Sequence, residues 1–270
     1  MEHITSKDGT MIAVEKTGDG PAVVLVDGAY TYRAIDQFPA SLAELLAPRF
    51  TVAHYERRGR GESGDTAPYA VEREIEDLAA VIDAVGGSAS VLGMSSGSVL
   101  ALQAAVRGVA VERLAMWEPP FVVDDSRPPL PDDYVARLDA LIAAGRRGDA
   151  MEYALTTAVG LPVDDVRAMR AEPFFALMEA VAHTAAYDGR VMADTMSGRP
   201  LAFERWAGFT IPALVLVGEK SDEFWQVGTR AFAHGMPTVR HRSIDTLAEE
   251  AHAVSPAALA PVLEEFFTIR

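Results

Sequence analysis

The sequence predicts an α/β fold: a mostly parallel central sheet flanked by helices, with one helical insertion. Three observations lead there. Short β-branched apolar runs alternate with stretches of helical spacing in the first and last parts of the chain. The alternation stops from Asp124 to about Arg205, where only helical stretches are found. Within the first part, Gly93-Met94-Ser95-Ser96-Gly97 joins a strand-like run to a helix-like run.

The elements follow in order. Met11–Glu15 reads as a strand after an Asp8-Gly9 turn, and Gly18-Asp19-Gly20-Pro21 is a second turn. Ala22–Val26 is a continuous apolar run, as expected of a strand buried on both faces. Ile35–Leu46 has helical spacing, and Phe50–Tyr55 reads as another buried strand. Arg57–Gly64 is a loop, and Val71–Val85 is a helix closed by Gly86-Gly87. Ala89–Leu92 leads as a strand into the serine turn, and Val99–Ala105 continues from it as a helix. Leu114–Trp117 is a strand ended by Glu118-Pro119-Pro120. Alternation resumes with a strand at Ile211–Gly218, a helix near Phe224–Ala233 and a strand near Val239–Ile244. Ser255 and Pro256 provide an N-cap and a first-turn proline for a last helix to Phe267. The expected division is a core of residues 1–123 and 206–270 and a helical cap of residues 124–205.

Composition narrows the partners. A hydrophobic fraction of 49% in 270 residues supplies a full core. A net charge of −15 argues against nucleic acid and anionic membrane surfaces. There is no cysteine, so neither a disulfide nor a thiolate nucleophile is available. The N-terminus lacks an apolar signal core, and no apolar stretch approaches the roughly 18 residues of a membrane span. The expectation is a cytoplasmic protein acting on a small molecule, with a homodimer left open. No phosphate-binding glycine fingerprint and no metal-ligand spacing is seen, so neither cofactor nor metal is expected.

A serine between two glycines is a weak signal alone: composition gives about 0.08 chance matches per chain. Its setting strengthens it. A tight strand-to-helix turn lifts a hydroxyl clear of both elements, and the helix N-terminus supplies N–H donors to a developing oxyanion.

In their order, these segments resemble the α/β-hydrolase fold family, in particular its esterase-like serine hydrolases. Val24-Leu25-Val26-Asp27-Gly28 is similar to the strand and turn that carry the oxyanion hole. Tyr55–Ser63 resembles the loop after the next strand, and residues 93–97 match the nucleophile elbow. Leu214–Gly218 is similar to the strand before the triad acid, Ala251–Pro256 to the histidine loop, and the insertion falls where the family places its lid, after the sixth core strand.

The resemblance implies Ser95 as nucleophile and His252 as its base. Asp222 occupies the expected acid loop, one residue later than usual, with Asp124 or Asp125 as the alternative acid. The oxyanion donors would be the amides of Ala29 and Ser96. A histidine commonly stands where this chain has Asp27. That residue either faces away or carries a proton in a non-standard reaction. Arg57, Arg58 and Arg60 read as structural ion-pair formers. Most large apolar groups of the insertion are expected to pack the insertion itself, a minority to line a pocket. The implied activity is cofactor-independent hydrolysis of an ester, thioester or lactone of a small apolar molecule through an acyl-enzyme. Alternatives are a non-hydrolytic enzyme of the fold (cyclase, acyl transferase or C–C bond cleaving), a haloperoxidase-like perhydrolase, and a binding protein without turnover.

Overall fold

The computed structural model describes residues 1–248 and 254–269. His252 lies outside the described residues. The strands are β1 (Glu2–Thr5), β2 (Met11–Thr17), β3 (Ala22–Val26), β4 (Thr51–Tyr55), β5 (Ala89–Met94), β6 (Val111–Trp117), β7 (Ala213–Gly218) and β8 (Val239–Ile244). They form one sheet in the order β1-β2-β4-β3-β5-β6-β7-β8. The β1–β2 and β2–β4 pairs are antiparallel and every other pair is parallel. The sequence pattern missed β1, a four-residue edge strand that is mostly exposed and carries no apolar alternation.

Period-two alternation gives the sheet two apolar faces. In β3, Val24 and Val26 face one core and Val23 and Leu25 the other. Helices α1 (Phe38–Leu46) and, at the C-terminus, α10 (Pro256–Thr268) cover the second face with Leu42, Leu46, Leu259 and Leu263. Helix α1 starts at Phe38 rather than Ile35, with Pro39 in its first turn. Helices α2 (Val71–Ala84) and α3 (Ser96–Val106) cover the first face with Leu78, Val81, Leu100 and Leu102, and α9 (Glu223–Gly235) adds Phe232. The Ser255 hydroxyl accepts from the Ala258 N–H at 3.1 Å, the N-cap that the sequence predicts for α10.

Between β6 and β7 run α4 (Tyr134–Ala143), α5 (Arg147–Ala154), α6 (Val163–Arg170), α7 (Phe175–Ala180) and α8 (Thr184–Met192). A π-helical turn, Leu155–Val159, follows α5. Met151, Phe175 and Met178 are buried together with Tyr134 and Leu138, and Tyr30, from the loop after β3, joins them. Trp206 packs instead on Phe121 and Phe232 of the main core. Among the described residues no helix is long and apolar enough to cross a membrane.

Order along the sheet reverses between β3 and β5: the chain leaves β3 toward β4, then crosses back to β5 on the other side. Such a reversal opens a crevice at the carboxyl ends of the two strands, where ligands of open α/β sheets bind. The Gly28 turn after β3 and the Ser95 turn after β5 meet there. A β-carbon on Gly28 would lie only 3.2 Å from that of Ser95. Ser95 itself has φ 48 and ψ −120, a backbone state that an L side chain resists. On its far side, a β-carbon on Gly97 would come within 2.3 Å of the Val26 carbonyl oxygen, so only glycine lets α3 start this close to β3.

The loop after β4 is anchored by desolvated arginines. Arg58 donates twice to Asp77, at 2.7 Å each, and once to Asp8 at 3.0 Å. Asp77→Ala would strip a buried guanidinium of its bidentate partner, and a loss of about 3 kcal/mol in unfolding free energy is expected, measurable by guanidinium chloride denaturation. At the elbow, Ser95→Gly should be more stable than Ser95→Ala by about 1 kcal/mol in the same assay, because glycine alone relaxes at φ 48.

Candidate active site

The crevice opens into a pocket of about 480 Å³. Its polar lining is Ser95, Asp27, Thr31, Asp36 and Glu118; Tyr30, Phe38, Met94, Trp117, Val159 and Trp225 supply most of its apolar wall. No lysine or arginine is among the described residues that line it. Val159, on the π-helical turn, is the one contribution from the insertion among the described residues. Of the large apolar groups of the insertion, Met151, Phe175, Met178, Met192 and Met196 are buried in apolar clusters and do not line the pocket, and Phe174 is exposed.

Ser95 is held from behind. Its N–H donates to the Trp117 carbonyl oxygen at 2.9 Å, and its own carbonyl accepts from the Ser98 N–H at 2.9 Å. Ser98 adds a hydroxyl bond of 2.7 Å to the Gly93 carbonyl. The turn is fixed on both sides, and the serine side chain is left partly exposed toward the pocket. Ala29 lines the same pocket, and Ser96 opens α3 directly behind the nucleophile position. Val254, two residues after His252 in the chain, is part of the pocket wall.

The three acids considered from sequence do not share this pocket. Asp222 is exposed at the start of α9 and lines a neighbouring depression with Arg127 and Phe224. Asp124 accepts the Ser126 N–H at 3.0 Å in a local turn; Ser126 holds its carboxyl below the usual range. Asp125 is exposed, and neither Asp124 nor Asp125 lines the Ser95 pocket.

Beside Asp27 and Asp36, the pocket wall carries a carboxylate that the sequence reading did not single out, Glu118. It follows β6 directly, is almost fully buried and has φ 43. Its Oε1 accepts the Gly218 N–H at 3.0 Å and the Ser221 hydroxyl at 2.5 Å. Ser221 is buried in the loop after β7, so this bond ties that loop to the end of the neighbouring strand β6. The available signal was an acidic residue at the carboxyl end of a parallel strand, where sites of this architecture gather.

Asp27 lines the pocket, next to the Gly28 turn. Burial pushes its carboxyl up to about 7, and the charge of Asp36 adds to this; Arg60, Arg57 and Glu56 modify the result, the two arginines downward and Glu56 upward. At neutral pH the residue is poised between a neutral hydrogen-bond donor and an anion.

The chain matches the model of the alpha/beta hydrolase family over residues 23–264. An alpha/beta hydrolase from Sphaerobacter thermophilus is 52% identical across 99% of this chain and 100% of that one, with a TM-score of 0.89. Fold likeness extends further. An enol-lactonase from Burkholderia xenovorans has 20% identity over 99% of this chain and 100% of its own, with a TM-score of 0.68. A thermophilic esterase from Thermogutta terrifontis has 22% identity over 99% of each chain, with a TM-score of 0.69. Because the family match runs from the first central parallel strand into the last helix, taking in the serine turn and its pocket, this chain belongs to the alpha/beta hydrolase family.

Proposed function

We propose that the protein is a cofactor-independent serine hydrolase that cleaves an ester, thioester or lactone of a small, mainly apolar molecule. The observation that carries this reading is Ser95 on a φ 48 turn at a largely apolar pocket shared with Ala29 and Glu118. In the proposed cycle the Ser95 hydroxyl adds to the acyl carbonyl while His252 takes its proton. The Ala29 and Ser96 amides hold the tetrahedral oxyanion. His252 returns the proton to the leaving oxygen or sulfur, and water then cleaves the acyl-enzyme by the same route in reverse.

Glu118, rather than Asp222, is the carboxylate we assign to orient His252. Support comes from its burial, its place on the pocket wall and its fixation by Gly218 and Ser221. The lining also favours neutral substrates: three carboxyl groups, Asp27, Asp36 and Glu118, meet any substrate that carries its own carboxylate.

Intact-mass analysis after fluorophosphonate treatment tests the nucleophile: one adduct on the Ser95 peptide is expected in the wild type, and none in Ser95→Ala or His252→Ala. The acid is tested by steady-state kinetics on an ester panel. Glu118→Gln should lower kcat by about 10³-fold or more, as loss of a triad carboxylate does, and Asp222→Asn should stay within about threefold. Equal losses in the two variants would sink the assignment of Glu118.

A pH profile follows from Asp27. Below about 7 its carboxyl is neutral; above that its charge opposes the oxyanion. Activity should therefore fall as pH rises through about 7, and Asp27→Asn should keep its activity to higher pH. Stability changes with the same sign. The unfolded carboxyl loses its proton near its ordinary value of 3.8 and the folded one near 7. Unfolding free energy should decline as pH rises between those values, less so in Asp27→Asn, as read from urea midpoints.

A further inference from the structure

Behind the oxyanion turn, on the side away from the pocket, lies a charge cluster that the proposed cycle does not use. Asp188, on α8 of the insertion, has no solvent exposure. Its Oδ2 accepts from Arg60 Nη2 at 2.7 Å; its Oδ1 accepts from Arg57 Nη1 at 2.7 Å and from the Ser96 hydroxyl at 2.8 Å. Burial opposes the charge of Asp188, but Arg57 and Arg60 more than offset it and keep the carboxyl ionised. Arg57 is also bound by Glu74 through two bonds of 2.7 and 2.9 Å, so two cations face two anions.

Both arginines also reach the backbone of the turn. Arg60 Nη1 donates to the Gly28 carbonyl oxygen at 2.5 Å, and Arg57 Nη1 lies 3.3 Å from that of Asp27. Thr31 adds a hydroxyl bond of 3.1 Å to the same Gly28 oxygen. The Gly28 carbonyl and the Ala29 N–H belong to one peptide group. In a trans peptide the two point to opposite sides. A guanidinium that fixes the oxygen from behind therefore fixes the N–H in front, and its charge polarises the peptide so that the N–H donates more strongly.

We propose that Arg60, held by Asp188 of the insertion, is a positioning residue for the oxyanion hole: it clamps the Gly28–Ala29 peptide with its N–H toward Ser95, while the same Asp188 fixes Ser96, whose amide is the second donor. This rests on the assignment of Ala29 and Ser96 as oxyanion donors. One insertion carboxylate thus reaches both halves of the hole, and the hole is complete only when α8 is seated on the core. A merely structural ion pair would alter stability; a clamp on the hole alters the transition state in a protein that stays folded.

Full-length wild type, Arg60→Lys and Asp188→Asn are compared by fluorophosphonate end-point titration of Ser95, by kcat and KM on the ester that wild type turns over fastest, and by the inhibition constant of a trifluoromethyl ketone. That ketone forms an oxyanion with the serine and so reports on the hole. Lysine keeps the charge of Arg60 but cannot reach both Gly28 and Asp188 as a fork does. Per titrated site, Arg60→Lys should lower kcat by about 30- to 100-fold, somewhat less than removal of an oxyanion donor. KM should change by less than about threefold, since the hole acts on the transition state, and the ketone should weaken in step with kcat. Asp188→Asn should shift both values in the same direction by a smaller factor. Unchanged kcat and ketone affinity per titrated site would overturn the clamp, even where the fraction of protein that titrates is smaller. Should the buried variants not accumulate as folded protein, Thr31→Val, at a half-buried residue, decides: it removes the second bond to the Gly28 oxygen and should lower kcat several-fold with KM held, and an unchanged kcat would overturn the proposal. A wild type that takes no label at Ser95 overturns the hydrolase reading itself, and the clamp with it.

Discussion

Two desolvated arginines set the terms at the carboxyl edge of the sheet. Arg57 and Arg60 are fully buried, and an isolated buried guanidinium is too costly to keep. Each needs anions of matching geometry, and these come from α2 as Glu74 and from α8 as Asp188. Satisfying the arginines therefore fixes where α2 sits, where the insertion docks and how the turn after β3 is held. The serine turn is built against that turn. Its own demands are steric: Gly97 must approach the Val26 carbonyl, and Ser95 must accept a backbone state it would otherwise avoid. Packing on both faces of the sheet supplies the stability that such strain consumes.

How much of this was legible in the sequence depends on which interaction decides each element. The strands Ala22–Val26 and Ala213–Gly218 are buried on both faces, so continuous apolar composition reveals them. The serine turn is legible because glycine spacing reports a steric need directly. β1 was not, since an exposed four-residue edge strand is fixed by pairing with β2 and not by its own pattern. For the acid, sequence gives the loop but not the direction of a side chain. Asp222 lies in the loop that the resemblance implies and opens α9 at the surface, and Glu118, buried on the pocket wall, takes a left-handed φ that no residue pattern announces. Arg57, Arg58 and Arg60 were read as ion-pair formers, and they are; that two of them also grip carbonyl oxygens of the turn is a matter of side-chain reach, visible only in three dimensions.

The pocket joins opposed electrostatic surroundings. In front, its described lining has carboxyl groups and no cation. Behind the backbone of the turn stand the two arginines, each paired with an anion, and N–H groups of both end on carbonyl oxygens of the turn. An anion that enters the pocket meets the carboxyls first. Asp27 sits on the boundary. Burial raises its carboxyl to about 7, so near neutral pH the wall gains or loses a negative charge there.

The strands at the two ends of the sheet bear on how copies of this chain meet. β1 is four residues long and largely exposed, with Glu2 and His3 on it. β8 ends the other side with Arg240, Arg242 and Ser243 turned outward, and Arg242 is paired with Glu265 of α10 at 2.8 Å. A second chain that tried to continue the sheet would have to desolvate those charges, and at one end would find only four residues to bond to. Short or charged edges are how natural sheets avoid growing into each other. Both hydrogen-bonding edges of this sheet thus carry features, shortness at β1 and exposed charge at β8, that disfavour its continuation by another strand.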